Sequence, residues 1–179
     1  MIRNILIICI LTTTSMTAMA AAPVTGPVVK NFGPVFTPPE GAYNLAPEAR
    51  YKVSMDVSRT GDFPEDRNRS MESAARFLNM HARNGIEPEK IEFALIVHGP
   101  ATKDLLNDKA YRLRYEEPNP NTAMLRELQQ AGVKIYLCSQ SAAYKKFAWD
   151  EFHPAVTIAV SAMTAHVRLQ QEGYTLIPF

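Results

Sequence analysis

Cys138 closes the run Gly132-Val133-Lys134-Ile135-Tyr136-Leu137-Cys138, and the small polar residues Ser139, Gln140 and Ser141 follow it. Val133, Ile135 and Leu137 alternate with Lys134 and Tyr136, the period-two pattern of a strand. The thiol therefore stands at a strand's carboxyl end, the edge where ligands bind in open α/β sheets. Ser139 or Ser141 suits the N-cap of a following helix. A thiol at a helix N-terminus lies in a positive field that favours the thiolate, its nucleophilic form. Two readings are open: a reactive thiol, or a small buried hydrophobe of the kind free cysteines often are.

Two further polar groups close apolar runs. His98-Gly99-Pro100 follows Ile91–Val97, and Ser161 follows Val156–Val160. In a parallel sheet both lie on the same edge as Cys138. An imidazole there can pair with a thiolate or take the thiol's proton, and Gly99 allows close backbone approach. The plain alternatives are a His98 tucked against backbone carbonyls and a Ser161 that only caps a helix. The candidate catalytic residues are thus Cys138 and His98, and the candidate binding residues are Gly99, Ser139, Gln140 and Ser161. His81, His153 and His166 read as surface or packing residues. No metal site is expected, because the histidines lack ligand spacing. No cofactor is expected either: the chain has no Gly-x-Gly-x-x-Gly after its first strand, no phosphate loop, no Gly-x-Ser-x-Gly, no Cys-x-x-Cys and no His-Glu-x-x-His.

The elements that must position these groups alternate in type. Tyr51–Val57 alternates apolar and polar residues as a strand does. Met71, Ala74, Ala75, Leu78 and Ala82 mark one face of a helix that Gly85 ends. Ile91–Val97 is almost continuously apolar, as a strand covered on both faces should be. A short helix is expected within Ala101–Arg114. Another follows Asn119-Pro120, read as N-cap and first helical residue, with Met124, Leu125, Leu128 and Ala131 as its apolar stripe. After the Cys138 strand come a short helix over Ser141–Phe147, an aromatic loop over Trp149–Pro154 and a strand over Val156–Val160. Ser161 then caps a helix through Met163, Ala165, His166 and Leu169, and a last strand covers Tyr174–Ile177. This alternation predicts a single α/β domain: a mostly parallel sheet of about five strands with helices on both faces.

Domain 51–179 is preceded by two segments of different character. Residues 1–20 have the form of a secretory signal peptide: Arg3, the apolar run Ile5–Leu11, and Ala18-Met19-Ala20 as a cleavage site. The apolar run is too short to span a bilayer. Removal of this segment takes Cys9 with it and leaves Cys138 as the only thiol, so no internal disulfide is expected. The expected location is the periplasm, with no membrane attachment after cleavage. Residues 21–50 form a Pro-rich extended arm, with turns at Gly26-Pro27, Gly33-Pro34 and Glu40-Gly41. Its apolar residues Val28, Val29, Phe32, Val35, Phe36 and Tyr43 suit packing against the domain or a neighbouring subunit. The formal net charge is +1, and Arg3 supplies that excess, so the remainder is formally neutral. Such balance argues against nucleic acid as a partner.

Four stretches carry a family resemblance: Val97-His98-Gly99; the helix with Asn121, Leu125 and Leu128; Gly132-Val133-x-Ile135-x-x-Cys138; and Leu169-Gln170-x-Glu172-Gly173-Tyr174. Together they resemble the DsrE/DsrF-like proteins over Tyr51–Phe179. The lead-in from Gly26-Pro27-Val28 to Gly33-Pro34-Val35 resembles the exported branch of that family. The resemblance implies a flavodoxin-like or Rossmann-like parallel sheet, assembly into small homo-oligomers, and a sulfur-relay role. It implies a persulfide on Cys138, with sulfur donor and acceptor proteins or small sulfur compounds as partners. Two features depart from the family pattern: His98 replaces a small polar residue, and Tyr144-Lys145-Lys146-Phe147 with Trp149 replaces a Gly-Ile turn. The expectation is a periplasmic sulfur carrier, a sulfurtransferase-like protein without a fixed turnover role. The alternatives are a non-catalytic small-ligand binding module or a structural homo-oligomer on the same fold.

Overall fold

The computed structural model of the chain describes residues 22–178. Residues 1–20, read from the sequence as a secretory signal, lie outside the described residues. Five strands form one parallel sheet: β1 (Tyr51–Val57), β2 (Ile91–Val97), β3 (Lys134–Cys138), β4 (Val156–Ala159) and β5 (Thr175–Ile177). Their order is β4-β3-β2-β1-β5. The helices are α1 (Arg69–Arg83), α2 (Asp108–Tyr115), α3 (Thr122–Gln130), α4 (Ser139–Tyr144) and α5 (Ala162–Gln171). Short 3-10 turns at Gly99–Leu105 and Trp149–Glu151 complete the β2–α2 and α4–β4 connections.

This strand order decides how the faces are covered. The chain steps from β1 to β2, β3 and β4 in one direction. Right-handed crossovers taken in one direction all lie on one face. Accordingly Met71, Ala74 and Leu78 of α1, Met124 and Leu128 of α3 and Ala142 of α4 share one core with Phe93, Leu95 and Val97 of β2. From β4 the chain must return across the whole sheet to β5, and α5 makes that return on the other face. Its Ala162, Ala165 and Leu169 pack on Ala94 and Ile96 of β2, the alternate residues, and on Cys138.

Local signals place most boundaries. Asn68 caps α1 by accepting from Met71 N–H, and Ser161 caps α5 by accepting from Thr164 N–H. Two expected starts shift. Asn119 does not cap α3: its side-chain amide donates to the carbonyls of Asp104 and Leu106, and the helix begins after Asn121. The Ser139-to-Ser141 stretch does not cap α4 either. Cys138 itself occupies the N-cap position, with no side-chain cap bond, and α4 starts at Ser139.

The Pro-rich arm lies against the domain. Val29, Phe32 and Val35 are buried, and the buried amide of Asn79 on α1 clamps the arm's backbone. Gly33 is required there. Its φ is +66°, and a Cβ would fall 2.3 Å from the backbone nitrogen of Arg76.

Candidate functional site

Cys138 sits at a fork in the topology. From the adjacent strands β3 and β4 the following helices leave to opposite faces, α4 to one and α5 to the other. The crevice between such strand ends is where open α/β sheets bind ligands. The fork also brings two helix starts to one sulfur. Burial pushes the thiol's pKa up. The Ser141 hydroxyl and the backbone N–H groups of Ser141, Ala162 and Gln140 outweigh that, so the pKa lies below the ordinary thiol value. The residue is 6% exposed, and its neighbours Gln140 and Met163 face solvent.

The hydroxyl of Ser141 is aimed by its own partner. Gly99 N–H donates to Ser141 Oγ at 3.0 Å, which leaves the hydroxyl's single proton free for the sulfur. Gly99 has φ +56°, a conformation that suits glycine. One donor on the connection after β2 therefore orients the hydroxyl that stabilises a charge at the end of β3.

The other candidates fall in different places. Gln140 reaches the thiol through its backbone N–H, while its side-chain amide bonds to Ser139 Oγ and Val160 C=O. Ser139 Oγ donates to Val160 C=O at 2.7 Å, tying α4 to the end of β4. Ser161 Oγ is used in its helix cap. His98 stands beside Cys138 by register, one residue past the Val97–Leu137 pair. Its ring, however, bonds to a carboxylate: Nε2 lies 2.9 Å from Asp56 Oδ1 and 3.1 Å from Oδ2. His166 of α5 bonds to the same Asp56 Oδ1 through Nε2 at 2.7 Å.

Asp56, Ser141, Ala162 and His166 are the residues that sequence reasoning passed over. Asp56 reads as one polar position of an alternating strand, and only the neighbouring strand's His98 gives it a partner. The signal for His166 is its spacing: it stands three residues before Leu169 and four after Ala162, inside the buried stripe rather than opposite it.

Among the described residues no group of three or more His, Cys, Asp or Glu side chains is arranged to hold a metal ion. No described helix is long and apolar enough to cross a membrane. A groove of about 210 Å³ lies between β4 and α5, lined by Tyr136, Ile158, Ala165 and Leu169 with Arg168 and Glu172 at its rim, and Cys138 is not part of its lining. The larger cavity, about 660 Å³, lies over the loop between β1 and α1. Its lining mixes Arg59, Arg67 and Arg69 with Asp62, Glu65, Asp66 and Glu72, so it favours neither sign of charge. Its lining does not include Cys138.

Comparison with known proteins agrees with this architecture. No curated protein matches the chain. Two solved structures share the fold. One is a protein of unknown function, MTH1491 from Methanobacterium thermoautotrophicum, 19% identical with a TM-score of 0.52, covering 72% of this chain and 99% of that one. The other is the ychN protein from E. coli, 15% identical with a TM-score of 0.52 and the same coverage, 72% and 99%. The model of the DsrE/DsrF-like family matches residues 52–179, from the second residue of β1 through β5 to the last residue of the chain. The chain with its thiol at the β3–β4 fork therefore belongs to the DsrE/DsrF-like family.

Proposed function

We propose that this protein carries sulfur as a persulfide on Cys138 and works in the periplasm. Family membership points to sulfur relay. The observation that carries the reading is the set of donors around one thiol: the Ser141 hydroxyl and the N–H groups of Ser141, Gln140 and Ala162. These groups favour an anion, and both the thiolate and a terminal persulfide are anions. Export is supported by the signal-like form of residues 1–20.

The exchange needs no outside oxidant. The Cys138 thiolate attacks the outer sulfur of a donor persulfide or polysulfide. A new S–S bond forms to Cys138 as the donor's S–S bond breaks, and the donor leaves as a thiolate. Delivery is the same step in reverse sense: an acceptor thiolate takes the outer sulfur and Cys138 departs as thiolate. Cys138 is the only free cysteine among the described residues. With no second thiol at hand, the persulfide is not resolved to an internal disulfide, and the sulfur must go to an external acceptor.

Intact-protein mass spectrometry tests this reading. Protein from its native host should begin at Ala21. Treatment with polysulfide should add mass in steps of one sulfur atom, reversed by reductant, and Cys138→Ser should gain none. A wild-type thiol that takes up no sulfur overturns the carrier. A second reading, a small-ligand binding module, is favoured by the low exposure of Cys138 and by the groove between β4 and α5. Under that reading the native thiol resists alkylation until denaturant is added.

A further inference from the structure

Asp56 and His166 take no part in the exchange written above, yet they meet at the residue beside the thiol. An ionised carboxylate only accepts hydrogen bonds. Both rings therefore donate to Asp56 from Nε2, His98 at 2.9 Å and 3.1 Å and His166 at 2.7 Å. This fixes each neutral ring in the tautomer with its lone pair on Nδ1. The two Nδ1 atoms then differ in access. That of His166 is buried without a partner. That of His98 has no hydrogen-bond partner among the described residues and is not one of the buried unpartnered atoms, on a side chain that is 31% exposed. That atom therefore keeps some contact with solvent. His98 shares a sheet row with Cys138, and the Ser141 hydroxyl links the Gly99 N–H to the thiol.

We propose that Asp56 and His166 are positioning residues that hold the His98 imidazole in the tautomer whose open Nδ1 handles the proton of sulfur exchange at Cys138. The proposal rests on the persulfide reading above. His166 holds the shared carboxylate by donating from α5 to the same Oδ1 that His98 bonds. The titratable groups around His98 are Asp56 of β1, which its ring bonds, His166 of α5, which shares that carboxylate, and Cys138, its neighbour in register on β3. Lys103, on the connection after His98, is engaged elsewhere, with Tyr111 and Asp104. In the exchange, His98 Nδ1 takes the proton of the Cys138 thiol. The thiolate attacks the outer sulfur of the protonated donor persulfide, and the donor's S–S bond breaks. The imidazolium then returns the proton to the departing donor sulfur. Thiol plus donor persulfide becomes Cys138 persulfide plus donor thiol, with proton and charge conserved.

The rates of Cys138 alkylation and of sulfur uptake, measured across pH for wild type and four variants, test the assignment. His98→Gln should lose the part of the pH profile that depends on the imidazole. Asp56→Asn, whose amide can donate to Nε2 and favour the other tautomer, should reproduce that altered profile. Its rate should fall about 10- to 100-fold, the scale known for partners that orient a metal-bound imidazole. Asp56→Glu should restore most of the loss, and His166→Gln should show a smaller one. A merely structural carboxylate lowers thermal stability without changing the profile's shape. An Asp56→Asn profile that superimposes on wild type therefore overturns the proposal. Long-range proton–nitrogen NMR on the unmodified protein gives a readout independent of any variant: Nε2–H on His98 is expected, and Nδ1–H overturns it. Uptake of sulfur by Cys138 with all profiles unchanged defeats this proposal and leaves the carrier standing. Absence of uptake with the profiles altered defeats the carrier instead.

Discussion

The charge state of Cys138 is set by donors, with burial opposing them. The Ser141 hydroxyl is the strongest of the opposing groups. Ser141→Ala should therefore raise the thiol's pKa. Hydrogen bonds to charged groups are worth about 1.5–3 kcal/mol, so alkylation at neutral pH should slow by about tenfold or more. The native thiol ionises at lower pH than the unfolded one. Its contribution to stability is present above the unfolded value, about 8.5, and is lost as pH falls through the folded value. Urea titrations of wild type and Cys138→Ser should accordingly diverge as pH rises from neutral, and parallel curves would remove the depressed thiol from the account. At this scale the sequence shows where the thiol stands but not what surrounds it. Cys138, Gly99 and His98 are legible because each ends an apolar run. Ser141 and Ala162 come together only through the fork between β3 and β4, a property of topology. Asp56 carries no local sign that it will meet an imidazole 42 residues away.

Among the elements, the strands were the most legible and the helix starts the least. Tyr51–Val57 and Ile91–Val97 have the same bounds in the sequence pattern and in the structure, because alternation and uninterrupted apolar runs end sharply at Ser58 and His98. Helix starts depend on side-chain bonds that compete. Asn119 has cap chemistry, but two buried carbonyls take its amide. The expected helix within Ala101–Arg114 divides into a 3-10 turn and α2, with Asn107 capping the second piece by accepting from Ala110 N–H. The arm, left between domain and neighbour by its composition, is decided by Asn79. Its Oδ1 accepts from Val28 and Val29 N–H, and its Nδ2 donates to the carbonyls of Val29, Phe32 and Gly33. Asn79→Ala leaves those backbone groups without partners, at on the order of 3 kcal/mol in all. The expected outcome is a lower melting temperature with early proteolysis near Lys30, while the rest of the domain stays protected. An arm in Asn79→Ala as resistant as in wild type would show that apolar contacts alone hold it.

For the whole molecule, the one-way march of β1 to β4 leaves the two faces unequal. One carries α1, α3, α4 and the arm, and the other carries α5. Exposed apolar side chains occur in several places, Phe63, Leu113, Tyr144 and Trp149 among them, and one group of them lies on this second side and at the β4 edge. Val160 is 71% exposed, Met163 77% and Val167 55%, with Ile158 and Leu176 nearby in exposure. Met163 and Val167 are four residues apart and share the outer side of α5, while Ala162, Ala165 and Leu169 line its inner side. Met163 and Val167 thus form an exposed apolar pair among the polar residues Thr164, Arg168 and Gln171 on the outer side of α5. The arm and the Trp149–Phe152 loop are the other sources of apolar surface: the arm is largely spent on its own domain and Phe152 is buried, although Phe36, Tyr43 and Trp149 stay exposed. We expect a second copy to cover α5 and the β4 edge, giving a homo-oligomer whose interface lies beside Cys138. Met163→Glu with Val167→Glu places charge on that face without touching the inner stripe. Sedimentation at micromolar concentration should give an oligomer for wild type and a folded monomer for the double variant, with circular dichroism unchanged. Wild type sedimenting only at the monomer mass sinks the expectation, and a double variant that stays assembled moves the interface away from α5.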